Sequence, residues 1–304
     1  MSRRFILLGH PVSHSVSPVM HQAAYRALEL DCRYETVDAP DEQSFRALVE
    51  ALRRGEVAGA NVTIPHKRLA LQCADRSDPS AERVGAANVL LRAADGAVVA
   101  HNTDVVALAG ELRAREPDAR VACVIGNGGA ALASVAACSF IGVEQVGVVA
   151  RSWRAGVSAS LWPGMQDFRQ LGALLIAWPE RFEAAQVEEQ GVLPNPWEAF
   201  LACSQLIIQA TSAGMRGAGA GESVRDIVPW LTLKPTTFAY DLVYNPAVTP
   251  FLEAGRAAGL QVEGGLGMLV EQAALSVQLW LGVSPPRSAM REAAELFLAA
   301  QGPP

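Results

Sequence analysis

The chain has 304 residues, half of them hydrophobic and 18% charged, with a formal net charge of −6. That length predicts about two domains, and the composition excludes a disordered or fibrous chain. The acidic balance argues against nucleic acid or an anionic membrane as partner, since both attract a broad positive field. A bound anion would need a local pocket.

Residues 5–9 read as a strand. Ser17 and Pro18 look like an N-cap and a first helical position, opening a helix to about residue 30. Residues 33–37 predict a second strand. Residues 41–54 predict a helix with Phe45, Leu48, Val49 and Leu52 on one face. A third strand spans 59–64 and is stopped by Pro65, residues 66–73 read as helix, and 89–99 as a hairpin turning at Asp95-Gly96. Such alternation predicts a mostly parallel sheet. A second α/β stretch begins near residue 105. A helix at 105–116 leads to a strand at 121–125, a glycine-rich turn, an alanine-rich helix to about residue 140 and a strand at 145–150. Residues 151–200 are irregular in composition and carry Trp153, Trp162, Trp178 and Trp197. Strands at 206–209 and 238–243 follow, then a last long helix at about 268–280.

The stretch 121–143 carries no charge and is long enough to span a bilayer. Gly126, Asn127, Gly128 and Gly129 break it into separate elements, so no span is expected. The apolar run near the N-terminus is too short for a signal peptide. Five scattered cysteines without a C-x-x-C pair fit a reduced compartment. A cytoplasmic protein is expected.

Strand, then Gly126-Asn127-Gly128-Gly129-Ala130, then helix is the layout of a dinucleotide phosphate site. The first glycine permits the tight turn, the second lets the backbone approach a pyrophosphate, and the helix N-terminus offers free N–H groups. The pattern is not the full G-x-G-x-x-G, because position 131 is Ala131. A plain packing turn is the alternative. An NAD-type site places an acid at the end of the next strand. Here that place reads Ala150-Arg151-Ser152-Trp153-Arg154. Arg151, Ser152 and Arg154 could grip a 2′-phosphate instead; the alternative is a solvated arginine pair on a loop.

Chemistry that titrates is concentrated in the first third, where all five histidines fall. Ser13, Ser15 and Ser17 cluster after the first strand, and Ser15 and Ser17 could bond a carboxylate beside a helix N-terminus. Ser17 could equally be the N-cap. His14 and His21 lack a third metal-ligand partner and read as structural, so no metal is expected. Only two of the 25 basic residues are lysines, Lys67 and Lys234. A lysine at position 67 suggests a proton donor or acceptor, which arginine cannot be; the alternative is a surface lysine on a helix. Asp104, before the next helix, either caps that helix or partners Lys67 in proton transfer.

Taken in order, the motifs resemble the shikimate dehydrogenase family. The resemblance rests on Gly9 to His21, on Asn61-Val62-Thr63-Ile64-Pro65-His66-Lys67, on Val84 to Asn88, on Asn102-Thr103-Asp104, on Ala210 to Met215, on Tyr240 to Pro246 and on Gly265 to Ala273. It implies an open α/β substrate domain, residues 1–104 with 266–304 returning to it, and a Rossmann dinucleotide-binding domain at 105–265. It implies NADP-dependent, reversible reduction of 3-dehydroshikimate to shikimate by a monomer or homodimer. Lys67 and Asp104 would be the catalytic pair. Ser15, Ser17, Thr63, Asn88, Tyr244 and Gln272 would hold the substrate. Residues 126–130, Arg151, Ser152, Arg154, Thr211, Ser212, Gly265 and Met268 would hold NADP.

The chain departs from the family at several places. It has Gln22 after His21 and Val89 after Asn88, and it has Val105 and Ala107 where glycines are usual. A side chain at 105 and 107 predicts a stiffer turn beside Asp104 and weaker or shifted turnover. Two alternatives therefore stand beside the main reading. One is a paralogue acting on quinate, an aminoshikimate or a related cyclic acid. The other is a non-catalytic module that binds ligand and NADP for regulation.

Overall fold

Alternating side chains along the first strand, β1 (Arg3–Gly9), feed two cores at once. Ile6 and Leu8 join a cluster with Phe45, Val49 and Leu52. Phe5 and Leu7 join another with Tyr25, Tyr34, Val277 and Trp280. The period of two along a strand requires this split when both faces are covered. The computed structural model describes residues 2–115, 118–179 and 196–301. They form two units, Met1–Leu108 with Gly267–Pro303, and Ala109–Leu266.

After β1 the chain runs through α1 (Ser17–Ala27), β2 (Cys32–Asp38), α2 (Glu42–Arg53), β3 (Gly59–Val62), α3 (Lys67–Cys73), β4 (Arg76–Ser77), α4 (Pro79–Val84), β5 (Val89–Arg92) and β6 (Val98–His101). Then come α5 (Thr103–Arg115), β7 (Val121–Ile125), α6 (Gly129–Phe140), β8 (Gln145–Arg154), α7 (Met165–Gln170), β9 (Leu174–Trp178), α8 (Pro196–Cys203) and β10 (Leu206–Gln209). The last elements are α9 (Glu222–Arg225), β11 (Phe238–Asp241), α10 (Pro250–Ala257), β12 (Gln261–Gly264), α11 (Leu266–Leu281) and α12 (Arg287–Ala300).

The first sheet has the order β2-β1-β3-β5-β6-β4. It is parallel from β2 to β3 and at the β4–β6 edge, but β5 runs antiparallel to both β3 and β6. The sheet is mostly parallel, as expected, with β5 as the reversed strand that leads into the Asp95-Gly96 hairpin. The second sheet, β12-β11-β10-β7-β8-β9, is parallel throughout.

Several local expectations are corrected. Ser17 is not the N-cap of α1. Val16 holds that position, and Ser17 is inside the helix, donating its N–H to Ser15 Oγ at 3.2 Å. The helix stops at Ala27, and Glu29 sits at φ 54 just beyond it. Asp104 does not cap α5 either. It lies in the first turn, and Asn102 Oδ1 accepts its N–H at 3.1 Å. Val105 and Ala107 lie inside that helix, as the helix expected at 105–116 places them, and both are buried. Strand β8 runs on to Arg154, so Arg151, Ser152 and Arg154 stand on a strand end rather than a loop.

A further helix, α12, follows the expected last one and packs on α1. Its Arg287 makes a two-pronged contact with Glu271 of α11. Helix α11 is pinned to the first sheet by Trp280, whose ring stacks on Phe5 at 4.8 Å and whose Nε1 donates to Leu90 O at 3.2 Å. A Cβ on Gly59 would stand 2.5 Å from that indole, so the strand admits only glycine there. No helix among the described residues is long and apolar enough to cross a membrane.

Candidate functional site

Lys67 opens α3, and the segment before it is tied down by short contacts. Thr63 donates its N–H to Leu8 O at 2.8 Å, and the buried His66 ring sits 2.7 Å from Ala39 O. Gly9 makes room for this turn, since a Cβ there would fall 2.3 Å from the Thr63 methyl. Lys67 Nζ donates to Asp104 Oδ2 at 2.7 Å. The two side chains are only 19% and 9% exposed, so solvent screens the pair weakly. Asn88 Nδ2 donates to the other carboxylate oxygen at 2.8 Å. A lysine as the first residue of a helix has no favourable dipole term; its partner across the sheet is what holds it.

Asn88 itself is buried and fully engaged. Its amide also donates to Thr103 Oγ1 at 3.0 Å, and its carbonyl accepts the Thr103 N–H at 2.8 Å. Thr103 Oγ1 donates in turn to Gln272 O at 3.2 Å. Hydrogen bonds thus bring Lys67, Asp104 and Asn88 together with the backbone of Gln272. The Gln272 side chain is half-buried and donates back to Leu269 O at 2.9 Å. Ser15 is half-buried, Ser17 is buried, and the Ser17 hydroxyl lies against the Tyr34 phenol. Tyr34 donates to Asn61 Oδ1 at 2.8 Å and stacks face to face on His21 at 3.9 Å. Burial pushes the His21 pKa down to about 3, against the opposing effect of Asn61. The buried His21 ring is therefore neutral. Among the described residues no three His, Cys, Asp or Glu side chains gather around a metal-sized site.

In the second unit, Gly126 ends β7 with φ +130, a conformation that side chains rarely adopt. A Cβ there would also stand 3.0 Å from Ala210 O. Gly128 occupies the N-cap position of α6, and a Cβ on it would meet open space. Gly128 is exposed, and Gly129 and Ala130 are half-buried. Asn127 Nδ2 donates to Ser152 Oγ at 3.0 Å and to Pro163 O at 3.3 Å, joining the glycine loop to the end of β8. Beside that junction, exposed Arg151 and Arg154 line a pocket with Ala155 and Trp178.

The remaining positions divide by what they touch. Thr211 Oγ1 accepts the Ala213 N–H at 3.1 Å, and Ser212 is exposed. Gly265 is a packing glycine, since a Cβ there would lie 2.1 Å from Leu242 O. Met268 is buried in the first unit, and half-buried Tyr244 belongs to the second.

Sequence reasoning missed Tyr34, Thr103, Asn61 and Ser276 as parts of this polar network. It also missed Asp241, buried at the end of β11, which accepts from Thr249 Oγ1 at 2.5 Å and from the Val243 N–H at 2.9 Å. Burial pushes the Asp241 pKa up to about 7, partly offset by those two hydrogen bonds. Its motif, Tyr240 to Pro246, was the available signal.

Two family models match: the shikimate dehydrogenase substrate binding domain at residues 7–90, and the shikimate 5′-dehydrogenase C-terminal domain at 265–295. The chain is 35% identical to the shikimate dehydrogenase (NADP(+)) of Citrifermentans bemidjiense, over 98% of this chain and 96% of that one. The chain belongs to the shikimate dehydrogenase family. A second family member, from Caulobacter vibrioides, is 37% identical over 91% of this chain and 89% of its own. Among solved members, the shikimate 5-dehydrogenase of Thermus thermophilus in complex with NADP(H) and shikimate superposes with a TM-score of 0.79. It is 31% identical and covers 97% of this chain and 99% of its own.

Proposed function

We propose that the chain is an NADP-dependent shikimate dehydrogenase that reversibly reduces 3-dehydroshikimate to shikimate. The observation that carries this reading is the shielded Lys67–Asp104 pair at 2.7 Å, steadied by Asn88, in a member of this family. NADP, when bound, supplies or accepts the hydride at the substrate carbon. Lys67 Nζ gives a proton to the carbonyl oxygen in reduction and recovers it from the hydroxyl in oxidation. Asp104 orients the ammonium, and Asn88 fixes the carboxylate. Ser15 and Ser17, at the start of α1, hold the substrate carboxylate. Thr63 and Gln272 contact the ring hydroxyls or the carboxylate.

The second unit fits the nucleotide. The turn from Gly126 to Ala130 would take the pyrophosphate at the N-terminus of α6, where a Cβ on Gly128 meets open space, with Thr211 and Ser212 alongside. Arg151, Ser152 and Arg154 suit a 2′-phosphate, and β8 carries no acid to take its place. Gly265 shapes the turn into α11, and Met268 lies in the first turn of that helix. All five cysteines are free thiols, four of them with pKa values raised by burial, which suits a reducing, cytoplasmic setting.

Purified protein mixed with shikimate and NADP should form NADPH, read by absorbance. The same assay over quinate and aminoshikimate ranks the substrates, with shikimate expected first. Higher kcat/KM on quinate would replace the substrate. Binding of shikimate and NADP without turnover would replace the enzyme by a regulator.

A further inference from the structure

The carbonyl of Gln272 accepts two hydroxyls besides its place in α11. Ser276 Oγ donates to it at 2.8 Å and Thr103 Oγ1 at 3.2 Å. Each hydroxyl accepts an asparagine amide in turn. Asn61 Nδ2 donates to Ser276 Oγ at 2.9 Å, and Asn88 Nδ2 to Thr103 Oγ1 at 3.0 Å. The two asparagines are joined as well, by Asn61 Nδ2 donating to Asn88 O at 3.2 Å. The result is a closed ring through Gln272, Ser276, Asn61, Asn88 and Thr103.

The four side chains of the ring are buried, with Ser276 at 0% and Asn61 at 5% exposure. Tyr34 fixes the orientation of the Asn61 amide by donating to its oxygen. The ring passes outward to the site through the second N–H of Asn88, which reaches Asp104 Oδ1 at 2.8 Å.

A helical serine bonding to the carbonyl four residues back is common and local. That local habit does not account for the Asn61 amide, which reaches Ser276 from a strand 215 residues away in sequence. A buried polar ring of this kind holds one geometry when complete, and loosens when one member is lost.

We propose that Ser276 is a positioning residue for the Lys67–Asp104 pair. It acts through Asn61 and Asn88, and it fixes Gln272 at the same time. The inference rests on the reaction proposed above, with the ring delivering Asp104 to Lys67 in one orientation.

The test compares Ser276→Ala and Ser276→Cys with wild type. Cysteine keeps the volume but is a weak donor and acceptor. Both variants should lower kcat with shikimate by about three- to tenfold, the scale of one neutral hydrogen bond. Both should leave KM for NADP unchanged and displace the pH profile of kcat. Hydrogen exchange of the Thr103 amide, which is held by Asn88 Oδ1, should also quicken by about the same factor.

Full activity in Ser276→Cys would overturn the proposal, because volume alone would then suffice. So would an unmoved pH profile together with unmoved Thr103 exchange in Ser276→Ala. Failure of wild type to oxidise shikimate would sink the proposed reaction, while the exchange comparison would still decide whether Ser276 holds the ring.

Discussion

Replacing Lys67 by arginine separates charge from proton transfer. At 2.7 Å and an effective dielectric of about 20, the Lys67–Asp104 attraction is roughly 6 kcal/mol before solvation costs. Those costs cancel much of it. Removing one partner of such a buried pair costs roughly 3–5 kcal/mol, because the other charge is left alone. With Lys67 at 19% exposure, water reaches the site, so Lys67→Ala should fall near the lower end. Lys67→Arg keeps the cation and can still donate to Asp104, so its stability should lie within about 1 kcal/mol of wild type. Its guanidinium cannot give up a proton at working pH. Turnover with shikimate and NADP should nonetheless drop by about 10²–10⁴. The assay pairs initial rates of NADPH formation with urea unfolding of both variants. An arginine variant within threefold of wild-type turnover would refute the proton-transfer role, since charge alone would then suffice.

Arg151→Ala should raise KM for NADP by roughly tenfold, the scale of one charge-assisted contact, and change KM for NAD little; equal effects on both cofactors would move the 2′-phosphate site elsewhere. Asp241 has a folded pKa raised from 3.8 to about 7, so the folded state holds its proton more tightly than the unfolded chain. Its stabilising effect is complete below pH 3.8 and is lost as pH rises towards 7, at most about 4 kcal/mol. Denaturant midpoints between pH 4 and 8 should show that decline in wild type, and Asp241→Asn should flatten it. Val105→Gly with Ala107→Gly places two glycines inside a buried helical stretch, at about 1 kcal/mol each plus the lost valine side chain. The midpoint of thermal unfolding should fall and shikimate turnover should not rise; faster turnover would restore the reading of these positions as a stiffened turn.

Strands with uniform apolar content were legible to the residue. The expected 121–125 and 206–209 are β7 and β10, because burial on both faces leaves a hydrophobic run, unbroken in β7 and ended by Gln209 in β10. Ends decided by tertiary contacts were not. Helix α1 starts one residue before the place its serine and proline suggested, since Ser15 already takes the Ser17 N–H. Strand β8 is extended by pairing with β9, where Arg154 meets Trp178 across an irregular register that no short motif encodes.

The same division holds at the site. Lys67 was visible as a lysine in an arginine-rich chain, and Asp104 by its place before a helix. The ring behind them was not, because Asn61 and Ser276 meet through an amide and a hydroxyl across 215 positions, and its central acceptor is a backbone carbonyl. A carbonyl carries no residue identity to read.

The seat of Trp280 against Gly59 and Phe5 bears on how the protein is made. The groove above Gly59 and one face of β1 emerge from the ribosome early, while the indole that fills them is encoded near the end of the message. Residues 109–266 are complete before that indole appears. A nascent chain halted at that point carries a finished second unit and an open first one, with Phe5, Tyr25 and Tyr34 uncapped. Its vulnerability to aggregation and to proteases is therefore greatest late in translation, and it ends when α11 closes over the strands made first.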